Sequence, residues 1–290
     1  MPAPAGRTVR RRRLGFELRR LRENAGMKLD QVAGQLDLAL STLSRIETGK
    51  APCRSTYAAA MLDMYKVTDP AQRAVLIDMA RQGQRKDWWD QYGDVLPTGF
   101  GTYVGLEAEA ATLRAFEGRV IHGLLQTADY ARAALRAGDR KASEGHIDRL
   151  TELRMKRQEV LERPGEPLEL WAIVDEAALR RPVGGSKIMR AQLGRLAEAS
   201  GLPNVTVQVL PFAQGGHAGL AGPFTILEFP GGGPEVVDPG VVYVETPAGN
   251  IYLEKDRQVR YWADMFDQLR AQALSPDESR QLITAVGNQI

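Results

Sequence analysis

Apolar residues recur at helical spacing between Gly26 and Gly49, and they predict two short amphipathic helices joined by a tight turn. The apolar positions are Val32, Ala33 and Leu36 in the first helix and Leu40, Leu43 and Ile46 in the second. Ala33 lies where the two helices must cross closely, because a larger side chain would separate them. The outward positions of the second helix carry short polar groups and one long cation, Arg45. Such a surface suits a helix that enters the DNA major groove.

Three further helices are predicted around this pair. Leucines at helical spacing predict a helix over 14–25, and another helix follows Ser55, whose side chain is placed to cap it. Asp69 and Pro70 suit the N-cap and the first position of a last helix. Together these elements predict a five-helix domain over 14–83.

Short runs rich in β-branched and other apolar residues replace the helical pattern in five segments of the remaining chain, and the first of them alternates like a half-buried strand. These segments, which predict strands, are 167–175, 204–212, 223–229, 241–245 and 250–254. Helical periodicity predicts helices at 100–116, 124–137, 144–161, 188–200, 259–273 and 276–286. One further short strand is expected at 119–121. We therefore predict an α+β fold, in which the helical domain precedes a mixed α+β domain with a mostly antiparallel sheet.

The chain divides into four predicted regions. They are a disordered basic arm at 1–13, the helix-turn-helix DNA-binding domain at 14–83, a linker at 84–95 and a regulatory domain at 96–290. The arm contains four consecutive arginines, which are Arg10, Arg11, Arg12 and Arg13. They either follow a groove or phosphates of DNA, or form a solvated leader without a defined contact. In the linker, Trp88 and Trp89 either offer an exposed partner site or lock the linker onto the second domain.

Charge is distributed unevenly along the chain. Residues 1–86 hold 17 Lys and Arg against 8 Asp and Glu, whereas residues 87–290 hold 21 against 28. The basic part contains the predicted helix pair, so attraction to DNA phosphates belongs there and should weaken with salt. We expect the acidic part not to contact DNA.

The composition favours a cytoplasmic protein that associates with the nucleoid. No apolar run approaches the ~18 residues of a membrane span, and the basic N-terminus lacks the apolar region of a secretory signal. The single cysteine, Cys53, excludes an internal disulfide and a cysteine-based zinc site. Cys53 is either a small inert residue or a redox-responsive thiol whose pKa is lowered by Lys50 and Arg54.

Candidate catalytic groups are few. The segment "VGGSK" at 183–187 resembles the end of a P-loop but lacks the first glycine of that motif. Of three histidines without ligand-like spacing, His217 is either a plain loop residue or a ligand contact. Capping of a helix explains Asp175 and Glu176 without chemistry. We therefore expect no enzyme activity, no cofactor and no metal, the alternative being a DNA-targeted enzyme with an unrecognised active site in the regulatory domain.

Three segments of the first domain resemble the XRE (Cro-type) class of helix-turn-helix proteins. They are "LRRLRENAGM" at 18–27, "VAGQL" at 32–36 and "STLSRIETGK" at 41–50. The resemblance implies an ion pair between Arg22 and Glu47, of the buried kind that fixes geometry more than it adds stability. Leu29 stands where this class often has a Gln that meets a phosphate, so the resemblance assigns no such contact here.

The second motif helix supplies the expected DNA contacts. The residues expected to face the bases are Leu40, Ser41, Ser44 and Arg45. Those expected to hold the DNA backbone are Thr42, Lys50 and Arg54. Leu40 can meet a thymine methyl, and Arg45 can reach a guanine or a phosphate. One such motif reads too few base pairs to be selective, so we expect a homodimer on a near-palindromic double-stranded operator.

The second domain resembles a C-terminal domain of actinobacterial regulators of the WhiJ-like type. The matching segments, in order, are "WWDQY", "GLEAEA", "HGLLQTADYARA", "DEAALRRPVGG", "AQLGRL", "PNVTVQVLPF", "GPFTILEF" and "VVYVE". The resemblance implies an antitoxin-like repressor whose C-terminal domain binds a small protein encoded by a neighbouring gene. His122 stands where this family usually has proline. The segments 118–130 and 212–222 are the places where we expect a partner or ligand to bind.

Overall fold

The computed structural model describes residues 9–84, 87–230, 240–246 and 248–290. The contacts between residues divide the chain into two compact units. The first consists of the described residues up to Gln91 together with Gly101–Leu106, and the second consists of Tyr92–Phe100 together with Glu107–Ile290. The predicted linker is therefore divided, since Trp88 and Trp89 belong to the first unit and Tyr92 begins the second.

Five helices account for most of the first unit. They are α1 (Val9–Asn24), α2 (Leu29–Gln35), α3 (Leu40–Glu47), α4 (Ser55–Met64) and α5 (Pro70–Gln82). They enclose one apolar core, whose fully buried side chains include Leu18, Val32, Leu43, Met61 and Leu62. Leu40, which shares the apolar spacing of Leu43 and Ile46, does not join this core, because it is the first residue of α3 and is 52% exposed.

The turn between α2 and α3 is closed by a pair of backbone hydrogen bonds. The N–H of Leu38 donates to the carbonyl of Ala33 at 2.9 Å, and the N–H of Asp37 donates to that of Gly34 at 3.4 Å. Asp37 adopts a positive φ of 52°, which Asp tolerates better than most residues. The same arrangement ends α3 at Gly49, whose φ is 67°. The C-terminal ends of α2 and of α3 are therefore both set by local backbone hydrogen bonds.

The helices α4 and α5 differ in how their N-termini are capped. The side chain of Asp69 accepts hydrogen bonds from the N–H groups of Ala71 and Gln72, with Pro70 as the first residue of α5, as the sequence predicts. Ser55 does not cap α4, because it is already the first helical residue and no side chain caps this helix.

The start of α1 corrects the predicted arm. Residues 1–8 lie outside the described residues, but α1 begins at Val9, so residues 9–13 are helical. Arginine has a high helix propensity, so a run of arginines continues α1 towards the N-terminus rather than forming a disordered arm. In addition, Arg11 Nε donates to the carbonyl of Gly83 at 2.7 Å and thereby ties this first turn to the end of α5.

A six-stranded sheet organises the second unit. The strands are β1 (Thr112–Glu117), β2 (Glu169–Asp175), β3 (Val205–Leu210), β4 (Phe224–Glu228), β5 (Val241–Thr246) and β6 (Gly249–Leu253). Their order is β3-β2-β1-β4-β5-β6. The pairings β1–β2 and β2–β3 are parallel and the other three are antiparallel. The predicted mixed domain with a mostly antiparallel sheet is confirmed, although the sequence analysis does not foresee the parallel half.

Helices accompany the sheet along the rest of the chain. They are α6 (Phe100–Glu109), α7 (Ala128–Gly138), α8 (Glu144–Arg157), α9 (Glu176–Arg180), α10 (Ser186–Ala199), α11 (Asp256–Gln272) and α12 (Pro276–Gln289). Phe266 and Leu269 of α11 pack with Phe116 and Ile173 on one face of the sheet. Leu113 and Ala172, which point to the opposite face, are also fully buried. The central strands are thus buried on both faces, as is usual for parallel strands.

The segment from Phe100 to Ile121 differs most from the sequence prediction. The pattern predicts a helix over 100–116 and a strand over 119–121, whereas α6 ends at Glu109 and the strand is Thr112–Glu117. Polar and apolar residues of this strand alternate only over 112–115, a run too short to outweigh the helical spacing of Leu106, Ala110 and Leu113 in the sequence. None of the helices that the structure describes is both long and apolar enough to span a membrane.

Candidate nucleic-acid interface

The outer surface of α3 is the candidate DNA-reading face. Leu40, Ser41, Thr42 and Arg45 are exposed, and Ser44 is half-buried. The opposite side of the helix carries Leu43, Ile46 and Glu47, which are buried. Hydroxyl groups, one apolar side chain and one guanidinium therefore project together from a helix whose other face is fixed in the core, a set that can contact base edges and phosphates.

Close packing of α1 fixes the position of α3. A Cβ added at Gly15 would lie 2.5 Å from the carbonyl oxygen of Ile46 and 2.7 Å from that of Glu47. A Cβ at Gly49 would lie 2.8 Å from the Cα of Arg12. Only glycine permits such an approach of two backbones. These contacts, which the sequence analysis does not identify, hold the C-terminal end of α3 against α1.

A buried ion pair joins the same two helices. Arg22 Nε donates to Glu47 Oε1 at 2.7 Å, and Arg22 Nη2 donates to Glu47 Oε2 at 3.0 Å. Arg22 Nη1 also donates to the carbonyl of Met27 at 2.9 Å. The hydrogen bond with Glu47 raises the pKa of Arg22 above its ordinary value, against an opposing effect of burial. The structure thus brings together the two residues for which the XRE resemblance implies a pair.

Three exposed cations lie within α3 or in the segment between α3 and α4. Arg45, Lys50 and Arg54 are all exposed. None of the three forms an ion pair within the part of the chain that the structure describes. Because no neighbouring carboxylate neutralises them, they remain available to DNA phosphates.

The arginines of α1 are placed differently from the expectation that all four contact DNA. Arg11 is only 7% exposed and its guanidinium bonds to the carbonyl of Gly83, so it is a structural residue. Arg12 and Arg13 are half-buried. The side chain of Arg10 lies outside the described residues. A helix distributes successive side chains around its axis, so four consecutive arginines cannot form one continuous DNA-facing surface.

The start of α2 places a glutamine two residues after the position considered in the sequence analysis. Leu29 is half-buried and packs against the core of the first unit. Gln31 is exposed, and its side-chain oxygen accepts a hydrogen bond from the N–H of Lys28 at 2.8 Å. Gln31, rather than Leu29, is therefore the polar side chain that this end of α2 presents to solvent.

Cys53 has the environment of an inert thiol. It is 3% exposed, and burial raises its pKa to about 12. At neutral pH the thiol therefore stays protonated, and the thiolate that redox chemistry requires is absent. This favours the structural interpretation of Cys53 over a redox-responsive one.

The predicted capping role is confirmed for Asp175, whereas Asp175 and Glu176 each have one further contact that the sequence analysis does not predict. Asp175 caps α9 by accepting a hydrogen bond from the N–H of Ala177 at 2.8 Å. Its other oxygen lies 3.5 Å from Nε2 of His217, whose side chain is 6% exposed. His217 is consequently held inside its loop. The side chain of Glu176 accepts a hydrogen bond from the N–H of Phe212 at 2.8 Å and pins the same loop.

The tryptophans of the predicted linker differ in exposure. Trp89 is 4% exposed and Trp88 is half-buried. A Cβ added at Gly105 would lie 2.9 Å from Cζ2 of Trp89, so the indole packs directly on that backbone. Trp89 is therefore a packing residue. Within the described ranges, no group of three or more His, Cys, Asp or Glu residues is arranged to hold a metal ion.

Two family models match the chain. A helix-turn-helix domain matches residues 13–76, which cover most of α1–α5. A domain of unknown function, DUF5753, matches residues 100–285. No curated protein and no solved structure matches the chain.

Proposed function

The chain belongs to the family of the domain of unknown function DUF5753 and carries a helix-turn-helix domain, and from this premise we propose that it is a sequence-specific transcriptional repressor. The observation that carries the proposal is the exposed face of α3. Ser41, Thr42 and Arg45 project from a helix fixed by the bidentate pair of Arg22 and Glu47. Rigid placement of such a helix is what major-groove recognition requires.

The proposed contacts divide into two kinds. Leu40, Ser41, Ser44 and Arg45 read base edges in this proposal. Thr42, Lys50 and Arg54 hold phosphates, and Gln31 joins this second group. Arg12 and Arg13 contribute to the positive potential of the unit. Arg11 is left out because its guanidinium is bonded inside the protein.

The proposed assembly is a homodimer on a near-palindromic operator. A single helix in the major groove contacts only a few base pairs, which is too little information to select a site in a genome. Two copies related by a two-fold axis double the site and set the spacing of its halves. Repression, including that of its own promoter, follows from the resemblance to antitoxin-like WhiJ-type regulators. A protein with this role acts in the cytoplasm, on the nucleoid.

We propose a binding role, rather than catalysis, for the second unit. The resemblance supplies the expected partner, a small protein encoded by a neighbouring gene, and a partner or a small ligand bound there would regulate the DNA-binding unit. Co-purification of the two proteins at micromolar concentration tests the protein partner. If no complex forms at that concentration, the protein partner is excluded and a small ligand remains as the proposed regulator.

Binding to the DNA upstream of the chain's own gene tests the proposed function. Fluorescence anisotropy with a labelled fragment of this region, at two salt concentrations and with random-sequence competitor, separates specific from nonspecific binding. We expect specific binding in the nanomolar range, at least about 10³-fold tighter than to the competitor, that weakens as salt rises. Equal affinity for both DNAs at every salt concentration would overturn the proposal.

A further inference from the structure

One segment of the second unit is opposite in charge to its surroundings. Residues 180–195 hold five Lys and Arg and no Asp or Glu, whereas the other residues of 87–290 hold 16 Lys and Arg against 28 Asp and Glu. The segment includes "VGGSK" at 183–187, which lacks the first glycine of a P-loop and has no role in the proposed function. A local reversal of charge of this kind attracts acidic groups while the rest of the unit repels them.

Three cations of this segment are exposed and have no counter-ion. They are Arg181, Lys187 and Arg190, and none of them forms an ion pair with any residue that the structure describes. Lys187 and Arg190 are three residues apart in α10, so their Cβ atoms lie about 5–6 Å apart on one surface of the helix. Since no carboxylate in the described part of the chain neutralises the three cations, their charge is available to a partner.

The connection from α9 to α10 is tightened by two backbone hydrogen bonds. The N–H of Val183 donates to the carbonyl of Arg181 at 2.8 Å, and the N–H of Gly185 donates to that of Pro182 at 3.0 Å. Gly185 has a positive φ of 91°, which glycine adopts without strain. The end of α9, next to Arg181, therefore lies close to the first turn of α10, which contains Lys187. We call this part of the surface the α9–α10 corner.

The carboxylate of Glu176 brings an exposed aromatic residue to the same corner. Its Oε1 accepts a hydrogen bond from Nε of Arg180 at 2.6 Å, and its Oε2 accepts one from the N–H of Phe212 at 2.8 Å. Arg180 and Phe212 are therefore neighbours. Phe212 is 57% exposed, and the side chain of Arg180 is 42% exposed despite its pairing with Glu176. An apolar ring and a cation thus lie side by side in solvent at the end of α9.

Phe212 belongs to a loop whose backbone is fixed against the sheet. A Cβ added at Gly219 would collide with Cε1 of Phe116, so the loop packs directly on that ring. The side chain of His217, which is 6% exposed, lies 3.5 Å from Asp175 at the end of β2. A side chain presented by an ordered loop loses less conformational freedom on binding, so Phe212 is suited to anchor a partner.

We propose that the α9–α10 corner, formed by Arg180, Arg181, Lys187, Arg190 and Phe212, binds a short acidic segment of a protein partner that also carries an apolar residue. The inference rests on the proposed function, since it gives the binding role of the second unit a location and a partner chemistry. Carboxylates of the segment pair with the guanidinium and ammonium groups, and its apolar residue packs on the aromatic ring.

Charge and shape favour a protein segment over DNA at this corner. A DNA duplex carries continuous rows of phosphates, which the acidic remainder of the unit repels. A short acidic segment contacts the cations without approaching that remainder. An exposed aromatic ring flanked by cations also matches the apolar core and polar rim of a protein interface, whereas contacts to phosphates make no use of such a ring.

Fluorescence anisotropy of the full chain with three labelled hexapeptides tests the proposal. Glu-Glu-Leu-Glu-Glu-Leu carries both features, Gln-Gln-Leu-Gln-Gln-Leu lacks the charge, and Glu-Glu-Gly-Glu-Glu-Gly lacks the apolar residue. We expect the first peptide to bind about tenfold more tightly than the second and several-fold more tightly than the third. Equal binding of the first two peptides, or no binding of the first at millimolar concentration, would overturn the proposal.

Paired alanine variants locate the binding surface. Arg181→Ala with Lys187→Ala should weaken binding of the first peptide roughly tenfold. The matched control, Arg140→Ala with Lys141→Ala, removes two exposed cations elsewhere in the unit and should leave the affinity within about twofold of the parent. All four positions are exposed, so both proteins should fold. Unchanged affinity in the first variant, or an equal loss in the control, would overturn the proposal.

Two further variants test the anchor and exclude the DNA-binding unit. Phe212→Ser should weaken the acidic peptide with leucine several-fold and leave the acidic peptide with glycine unchanged. Equal losses for both peptides would refute the anchor. Lys50→Ala with Arg54→Ala should leave the affinity for the first peptide within about twofold of the parent. A loss there as large as that of the Arg181→Ala, Lys187→Ala protein would place the peptide on the first unit and overturn the proposal.

The Arg181→Ala, Lys187→Ala protein also distinguishes the other occupants of this corner. Its affinity for random-sequence duplex DNA and its mass by sedimentation equilibrium should equal those of the parent. Weaker DNA binding would assign the corner to DNA, and loss of a dimer would assign it to a second copy of the chain, and either result would overturn the proposal.

The peptide titrations and the operator measurement separate this inference from the proposed function. The titrations contain no DNA, so their outcome is independent of any operator. Operator binding measured without peptide is likewise independent of the α9–α10 corner. Peptide binding without specific DNA binding would refute the repressor and leave the corner as a binding surface, and the reverse result would refute the corner alone.

Discussion

Arg22 and Glu47 are 25 residues apart in sequence and form a bidentate pair, with N–O distances of 2.7 and 3.0 Å, between the end of α1 and the end of α3. Both side chains are largely buried, at 10% and 4% exposure. The pair therefore connects α3, the helix that we propose faces DNA, with α1, which supports it. Its geometry sets the angle at which the exposed face of α3 is presented, so its loss should affect both stability and DNA binding.

Removal of either Arg22 or Glu47 alone should destabilise the folded protein. Arg22→Ala leaves the carboxylate of Glu47 buried without a partner, and we expect a loss of about 3 kcal/mol in the free energy of unfolding. The double variant Arg22→Met with Glu47→Leu removes both charges and should recover most of that loss. Urea-induced unfolding of the full chain measures both values.

The control for this prediction is the exposed pair of Arg19 and Glu23, whose side chains are 57% and 51% exposed. Arg19→Ala should cost less than about 1 kcal/mol, because solvent screens an exposed pair. If Arg22→Ala and Arg19→Ala lowered the free energy of unfolding equally, the buried pair would contribute no more to stability than the exposed pair, and the prediction would be contradicted.

The backbone contact at Gly15 gives a second prediction. Gly15→Ala places a Cβ against the carbonyl oxygens of Ile46 and Glu47, and we expect it to destabilise the protein by about 2 kcal/mol despite the higher helix propensity of alanine. Gly34→Ala is the matched control, since a Cβ there meets no atom within 4 Å. That variant should gain about 0.5 kcal/mol. A Gly15→Ala protein as stable as the Gly34→Ala protein would show that α1 can move away from α3 freely.

Glu117 predicts a specific dependence of stability on pH. Desolvation by burial, followed by repulsion from Glu245, raises its pKa from 4.5 to about 8 in the folded protein, so between these values the folded state holds a proton that the unfolded chain releases. Stability contributed by this group is complete below pH 4.5 and is lost as pH rises towards 8. Glu117→Gln removes this loss and should be more stable than the parent at pH 8 by about 2 kcal/mol, with little difference at pH 4.

Chemical denaturation across this pH range checks the prediction, with Glu166→Gln as the control. Glu166 is exposed, so its variant should follow the parent at every pH. If the free energy of unfolding changed with pH in the same way for the parent and the Glu117→Gln protein, the raised pKa of Glu117 would be contradicted.

The exposed face of α3 could be predicted because it follows from local periodicity. Leu43 and Ile46 recur at helical spacing, and the positions between them are necessarily turned outward. The pairing of Arg22 with Glu47 came from the resemblance, not from the pattern. Gly15 gives no such signal, because its role depends on the approach of a backbone from a distant part of the chain.

The second unit was predictable in its strands but not in its centre. β2 and β3 show apolar runs bounded by turn residues, which predict strands. β1 lies between β2 and β4, and its residues alternate only over 112–115. The helical spacing of Leu106, Ala110 and Leu113 outweighs this short run, so the pattern predicts a helix instead. The environment of Glu117 at the end of β1 was therefore not predictable, since it depends on this strand and its neighbours.

Arg45 tests the central claim, that α3 reads DNA, most directly. The measurement is the affinity of the Arg45→Ala protein for the operator, compared with that of Arg190→Ala, which removes an exposed arginine of the second unit. We expect Arg45→Ala to lose roughly tenfold or more in affinity, equivalent to about 1–3 kcal/mol, and Arg190→Ala to stay within about twofold of the parent. An Arg45→Ala protein that binds the operator as tightly as the parent would contradict the account.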